Sequence, residues 1–158
     1  MHGAQHMGKV IASHPSLEEL WYSSKNLNDK AAIHLARGLA ANKSIKNLRL
    51  DGGDYGDQGA QHIAEAIKRH PSLAKLNLEG DQMGKEGFEC ILKAIEGSPV
   101  LWETQVRGKT PGKEYLEGLA TRSKKLGITA VICERGFPQH IHKKAYVTFK
   151  RERARPLL

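Results

Sequence analysis

The sequence predicts an α/β fold of the solenoid kind, in which about four strand-and-helix units of 28 residues stack in a right-handed coil. Apolar residues recur at a constant offset of 28, and within each unit their spacing changes from alternation to a helical period. After Gly127 this repeat fails, and two short alternating segments take its place. We therefore expect a parallel sheet on the concave side, helices on the convex side and a β cap at the C-terminal end.

The first half of each unit predicts a short strand. The segments LEELWY, IKNLRL, LAKLNL and LWETQV begin at positions 17, 45, 73 and 101, with apolar residues at alternate places. Alternation of this kind indicates a strand with one buried side. Because the offset is constant, Leu20, Leu48 and Leu76 should lie side by side on neighbouring parallel strands. Thr104 and Val106 weaken the pattern in the last copy.

The second half of each unit predicts a helix. Two apolar columns four residues apart support it: Leu35, Ile63, Ile91 and Leu119 in one, Leu39, Ile67, Ile95 and Ser123 in the other. A spacing of four places both columns on one face of a helix. Met7 and Ile11 continue the columns towards the N-terminus, so the chain opens inside a partial repeat. His-Pro-Ser triplets that start at His14 and His70 should end helices and turn the chain into the next strand.

The domain boundaries follow from the repeat. We expect repeats over residues 1–127, divided into 1–16, 17–44, 45–72, 73–100 and 101–127. Residues 128–150 should form two capping strands joined by a Gly-Pro segment, because an open end of a solenoid exposes apolar core. Residues 151–158 should form a basic tail.

The Leu-x-x-Leu-x-Leu segments, each followed by a helix, resemble the ribonuclease-inhibitor-like class of leucine-rich repeats. That class includes the repeat regions of NOD-like receptors and of Ran GTPase-activating protein. The resemblance covers about residues 3–127 and implies a leucine-rich-repeat solenoid that binds other proteins. The chain departs from the class eight positions after the first Leu, where Asn or Cys is usual and Lys25, Gly53, Asp81 and Lys109 stand here.

The outward side chains of the strands predict a partner-binding surface on the concave side. If Leu20 and Tyr22 face the core, the alternate residues face away from it. These are Glu19, Trp21, Ser23, Asn47, Arg49, Asp51, Lys75, Asn77, Glu79, Glu103, Gln105 and Arg107. Charges of both signs are interspersed, which favours a protein partner over nucleic acid. Trp21 either anchors the partner, with Arg49 stacked on its indole, or packs beneath the N-terminal residues.

The net charge of +8 suggests an alternative function, because residues 128–158 hold seven Lys or Arg against two Glu. This segment could bind nucleic acid or another anionic surface, although a solvated tail is the plainer interpretation. The candidate residues are Lys143, Lys144, Tyr146, Lys150, Arg151, Arg153 and Arg155. AYVTF at 145–149 matches only the second half of an RNA-recognition signature. A GTPase-activating role is a third possibility, and it follows from the resemblance alone.

No constellation of residues predicts catalysis, a metal or a cofactor. His6, His34, His62 and then Cys90 share one repeat position, but their helical angle puts them on the exposed convex side. Gly53, Gly56 and Gly59 lack the spacing of a nucleotide loop and should serve a turn. With two cysteines, no leader and no apolar run of about 20 residues, we expect a soluble cytoplasmic protein of open oligomeric state.

Overall fold

The computed structural model describes residues 2–109, 111–135 and 144–151. Within these residues the helices are α1 His2–Ser13, α2 Asp29–Ala41, α3 Asp57–Lys68, α4 Lys85–Gly97 and α5 Lys113–Lys125. The strands are β1 Glu19–Ser23, β2 Asn47–Gly53, β3 Lys75–Gly80, β4 Glu103–Lys109, β5 Ile128–Arg135 and β6 Lys144–Arg151. Over the described ranges, none of the helices combines the length and the apolar character that crossing a bilayer requires.

The first four strands are parallel, and their register follows the offset of 28 residues. Leu20 lies opposite Leu48, Leu48 opposite Leu76, and Leu76 opposite Thr104. Leu48, Leu76 and Thr104 are buried beneath the helices, and Leu20 packs against the same core. The predicted neighbourhood of these strands is therefore present in the structure.

The predicted solenoid, and with it the leucine-rich-repeat fold class, is wrong. The strands form one mixed sheet in the order β1-β2-β3-β4-β6-β5, in which β6 is antiparallel to β4 and β5 is antiparallel to β6. A solenoid would instead continue with a parallel strand beside β4. Only eight positions separate Arg135 from Lys144, and a parallel pair needs a crossover of about a dozen residues or more. β5 and β6 must therefore run in opposite directions.

A glycine pair sets the distance between the first two helices. A Cβ atom built on Gly38 of α2 would overlap the carbonyl oxygen of Gly8 in α1. A Cβ on Gly8 would likewise overlap the carbonyl oxygen of His34. The two backbones are thus in direct contact, and only glycine leaves room for it at these positions.

The starts of α2, α3 and α4 are each held by a carboxylate or amide oxygen. Asn28 caps α2, since its Oδ1 accepts a hydrogen bond of 3.0 Å from the N–H of Ala31. The next helix, α3, is capped by a side chain of α2: Asp29 Oδ1 accepts from Gly56 N at 2.9 Å and from Gly59 N at 2.7 Å. An acidic oxygen at a helix N-terminus also interacts favourably with the helix dipole.

The turns between helix and strand use one recurring hydrogen bond, made by three different residue types. Asn42 Oδ1 accepts from the N–H three positions later at 2.9 Å, His70 Nδ1 does so at 3.1 Å, and Ser98 Oγ at 3.2 Å. All three side chains are buried. Burial lowers the pKa of His70 below its ordinary value, and the nearby backbone of Asn42 opposes part of this effect. Neutral His70 is therefore the form that the fold selects.

Candidate functional site

The side of the sheet that faces away from the helices carries all twelve residues predicted for partner binding. Each of them is exposed or half-buried, whereas the alternate residues Leu48, Leu50, Leu76 and Leu78 are buried. We call this side the outward face: the outward side chains of β1 to β4, together with Thr148 and Lys150 of β6. Its position follows from strand geometry, in which successive side chains point to opposite sides.

Trp21 and Arg49 form the most exposed aromatic contact of the outward face. The Trp21 side chain is 70% exposed, so it does not pack beneath the N-terminal residues. The guanidinium carbon of Arg49, on the neighbouring strand, lies 5.5 Å from the centroid of the indole ring. Arg49 Nε also pairs with the Asp51 carboxylate. A cation over an indole and beside a carboxylate is held in one orientation, which lowers the entropy cost of meeting a partner.

A second group of charged side chains lies at the N-terminal ends of β3 and β4. Lys75 Nζ lies 5.0 Å from the centroid of the Trp102 ring and 3.6 Å from Glu103 Oε2. Lys150 Nζ lies 3.6 Å from the other oxygen of Glu103. One carboxylate is therefore shared by two ammonium groups, which leaves a local excess of positive charge. Lys150, predicted as part of a nucleic-acid site, belongs instead to the outward face.

A shallow groove of about 220 Å3 runs between these two groups. It is lined by Trp21, Asn47, Arg49, Lys75, Leu76, Asn77, Glu103 and Gln105. Within the described residues, the side-chain amides of Asn47, Asn77 and Gln105 form no hydrogen bond to other parts of the chain. Each amide can donate and accept, so the groove offers polar groups of both kinds to a ligand.

The opposite end of the outward face is occupied by ion pairs. Arg107 Nη2 lies 3.0 Å from Glu79 Oε2 and 3.4 Å from Asp81 Oδ1. Arg107 and Glu79 are largely covered. Their main effect is to join β3 to β4, and they present less surface to a partner than Trp21 or Arg49 do.

Of the residues predicted for nucleic-acid binding, the structure describes the side chains of Lys150 and Arg151. Arg151 donates from Nη1 to the carbonyl oxygen of Ser98 at 2.7 Å and from Nη2 to that of Ile95 at 2.9 Å. It is the last residue of β6, and it caps the C-terminal end of α4 instead of beginning a tail. Lys143, Arg153 and Arg155 lie outside the described residues, as do the side chains of Lys144 and Tyr146.

Sequence reasoning missed Thr148 and Trp102 of this region, and it assigned Lys150 to a different site. Thr148 and Lys150 face outward because they alternate along β6 with Val147 and Phe149, which are buried. Alternation in the segment from Val147 to Lys150 was the signal that could have placed them. Trp102 immediately precedes β4, outside the alternating positions, and its contact with Lys75 connects it with the outward face.

A larger groove, of about 680 Å3, lies between α4 and α5. It is lined by Lys85, Pro111, Gly112, Lys113, Glu114, Tyr115, Gly118, Leu119 and Arg122. Glu89 accepts from Tyr115 Oη at 2.8 Å and from Arg122 Nη1 at 2.9 Å. Burial raises the pKa of Glu89, but these two hydrogen bonds outweigh it, so the pKa lies below its ordinary value. The network fastens α5 to α4 by polar contacts in place of close packing.

The histidines at one repeat position do not assemble a metal centre. His6 is exposed, and His34, His62 and Cys90 are half-buried on successive helices. Over the described ranges, no three His, Cys, Asp or Glu side chains stand close enough to hold a metal ion together. Burial raises the pKa of the Cys90 thiol, which disfavours the thiolate.

Comparison with known proteins adds information on the fold. No family model matches the chain, and no curated protein is significantly similar to it. Among solved structures, one of leiomodin-1 actin-binding site 2 is similar over 76% of this chain and 72% of its own, with a TM-score of 0.67 and 18% identity. At that identity the likeness concerns the fold alone.

Two methyltransferase structures also align with the chain. For the 23S rRNA methyltransferase ErmE the TM-score is 0.34, with 13% identity over 99% of this chain and 70% of the other. For the precorrin-6y C5,15-methyltransferase of Geobacter metallireducens GS-15 it is 0.35, with 9% identity over 93% and 88%. Likenesses of this size carry no argument about either fold or function.

Proposed function

We propose that the chain is a non-catalytic protein-binding module that holds its partner on the outward face, with Trp21 and Arg49 as the anchor. The observation that carries the proposal is the 70% exposure of Trp21. Among large exposed apolar side chains, the aromatic ones are the type in which protein interfaces are enriched. Within the described residues only Val10, Leu126 and Trp21 belong to this class, and Trp21 is the aromatic one.

The energetics of interfaces support the choice of Trp21 and Arg49. Tryptophan and arginine are the residue types most enriched among interface hot spots, where truncation costs about 2 kcal/mol or more. Neighbouring polar groups contribute by excluding water from the anchor, and Asn47, Asn77 and Gln105 lie where they can do so. A partner that covers Trp21 would thus also meet the row of amides.

The similarly folded leiomodin-1 segment is named for a protein partner, actin. Its fold is thus compatible with protein binding, and the identity of its partner is not carried over. No observation on the described residues specifically favours the nucleic-acid or GTPase-activating alternatives, because Lys150 and Arg151 are engaged within the protein.

The proposal is tested by affinity capture from cell lysate with the intact chain and with Trp21→Ala combined with Arg49→Ala. We expect the double substitution to abolish capture of a specific partner while the melting temperature stays within a few degrees, because both side chains are at the surface. Leu126→Ala is the matched control, since Leu126 is another exposed apolar side chain, at the end of α5. Equal capture by the double variant and by the control would reject this site.

A further inference from the structure

Four side chains of the groove form a square of hydrogen-bond donors. In the register of β2 and β3, Asn47 lies opposite Lys75 and Arg49 lies opposite Asn77. The two cations therefore occupy one diagonal and the two amides the other. Neighbouring strands are roughly 4.8 Å apart, so all four side chains can reach a single group placed above the square. We call this set the donor square.

Three ion pairs lie around the donor square, and the positive partner of each extends further from the sheet than the carboxylate does. In each local ion pair the cation is the more exposed partner: 43% for Arg49 against 21% for Asp51, and 48% for Lys75 against 19% for Glu103. The Lys150 side chain is likewise more exposed than its partner, at 57% against 19% for Glu103. The carboxylates lie lower, next to the sheet, and the ammonium and guanidinium groups extend from it. A partner that approaches these three ion pairs consequently meets their cations before their carboxylates.

We infer, resting on the proposed function, that the partner presents an extended acidic peptide segment whose Asp or Glu carboxylate binds in the donor square and whose neighbouring apolar side chain covers Trp21. A carboxylate accepts several hydrogen bonds at once and suits both cations. The free amides of Asn47 and Asn77 can then bond to the peptide main chain beside it. The indole of Trp21 lies on the adjacent strand, within reach of the next outward side chain of the same peptide.

The carboxylates nearby favour a single acidic side chain over a polyphosphate. Asp51, Glu79 and Asp81 line the next part of the outward face, and exposed Glu19 lies opposite Asn47 on β1. A nucleic acid carries a charge at every nucleotide and would meet these carboxylates as well. A peptide with one acidic residue reaches the donor square without that repulsion, provided that its carboxylate points towards Lys75 and away from Glu19.

The test is selection of a display library of short random peptides against the full chain, followed by affinity measurements on the selected sequences. We expect enrichment of Asp or Glu next to an apolar or aromatic residue, with binding that depends on Trp21. Arg49→Gln and Lys75→Gln should each weaken binding by roughly tenfold or more. Arg49→Lys, which keeps the charge, should weaken it less. Arg37→Gln and Lys30→Gln are the matched controls, since both are exposed residues of α2 outside the outward face.

The outcomes separate the inference from the proposed function. Selected peptides that require Trp21 but lack acidic residues, or that are indifferent to Lys75→Gln, would overturn the acidic-peptide inference and leave the protein-binding face intact. Peptides that bind without any need for Trp21 would overturn both. Melting curves of Arg49→Gln show whether it remains folded, and Lys75→Gln provides an independent result if it does not. A phosphoserine version of a selected peptide that binds more tightly than the acidic one would identify a phosphopeptide partner and also overturn the inference.

Discussion

The carboxylate of Asp57 accepts a hydrogen bond from the backbone N–H of Gly87, with 2.7 Å between Oδ1 and the nitrogen. The same oxygen accepts from Gly84 N, also at 2.7 Å. Asp57 begins α3, whereas Gly84 and Gly87 belong to the start of α4, so one helix supplies the cap of the next. Asp29 does the same for α3. Lys85 stands 28 residues after Asp57, at the equivalent position of the next helix. Its ammonium group cannot accept a hydrogen bond, and its Nζ lies 5.3 Å from the centroid of the Tyr115 ring.

We expect Asp57→Ala to lower the free energy of unfolding by about 1–3 kcal/mol, because two charge-assisted hydrogen bonds at a helix start are lost. Urea denaturation of the two proteins measures the difference. Asp54→Ala is the control: Asp54 is exposed and its bond to Gln82 is at the surface, so a change below about 0.5 kcal/mol is expected. Equal losses for the two variants would contradict the capping role of Asp57.

The contact between the backbones of Gly8 and Gly38 leads to a second prediction. Gly38→Ala should lower the free energy of unfolding by about 1–3 kcal/mol, since a methyl group there overlaps the carbonyl of Gly8 and forces α1 away from α2. Gly118 in α5 has nothing within 4 Å of an added Cβ. Gly118→Ala should therefore raise stability by about 0.5–1 kcal/mol, the usual gain from alanine in a helix. Thermal melts of both variants give the two signs, and a gain for Gly38→Ala would refute the close contact.

Arg151 separates a structural role from a nucleic-acid role. Arg151→Gln should lower the free energy of unfolding by about 1–3 kcal/mol, because the guanidinium bonds to two carbonyl oxygens at the end of α4. Lys150→Gln, its neighbour with the same loss of charge, should change it by less than about 0.5 kcal/mol, as Lys150 is exposed and its ion pair is at the surface. Binding to RNA is measured by gel shift in parallel. Unchanged stability with weaker RNA binding would favour the nucleic-acid alternative.

His70 makes the stability depend on pH. Its folded pKa is lowered, so its contribution is present above the ordinary value of about 6.5 and is lost as the pH falls below it towards the folded pKa. Protonation of Nδ1 would also remove the acceptor of the bond from Leu73 N. Asn42 fills the same role without titrating, so His70→Asn should keep the bond and remove this acid sensitivity.

The measurement is the free energy of unfolding of both proteins between neutral and mildly acidic pH. Below the ordinary histidine pKa, the two curves should diverge in favour of His70→Asn by up to about 1.4 kcal/mol per pH unit. His6→Asn is the matched control for the same substitution at an exposed position of α1. Parallel curves for His70→Asn and the unchanged protein would show that His70 does not need to be neutral.

The repeat period predicted the parallel part of the fold because one offset determines both which strands are neighbours and which residues face each other. Leu20, Leu48 and Leu76 lie on successive strands for that reason. The period carries no information once it ends, and the pairing of β6 with β4 depends on contacts between residues far apart in the chain, such as Val106 with Val147. The predicted fold class was wrong because of these strands, which are antiparallel and make the sheet mixed.

The candidate site was predictable where strand alternation determines which side a residue faces, as for Trp21 and Arg49. The exposed fraction of Trp21 was not predictable, because strand alternation fits equally well a Trp21 that packs beneath the N-terminal residues. Lys150 was assigned to a nucleic-acid site because a count of charges contains no information on strand order, and the pairing of β6 with β4 brings it to Glu103. Arg151 was missed as a helix cap because its partners, Ile95 and Ser98, are more than 50 positions away in the chain.

The measurement that tests the outward face most directly is hydroxyl-radical footprinting of the chain, alone and in complex with the protein that it captures. Oxidation of Trp21 should fall several-fold in the complex, while that of Val10 and Leu126, the other exposed apolar side chains of the described residues, stays unchanged. Protection of Leu126 or Val10 together with full reactivity of Trp21 would place the partner elsewhere and contradict the proposed function.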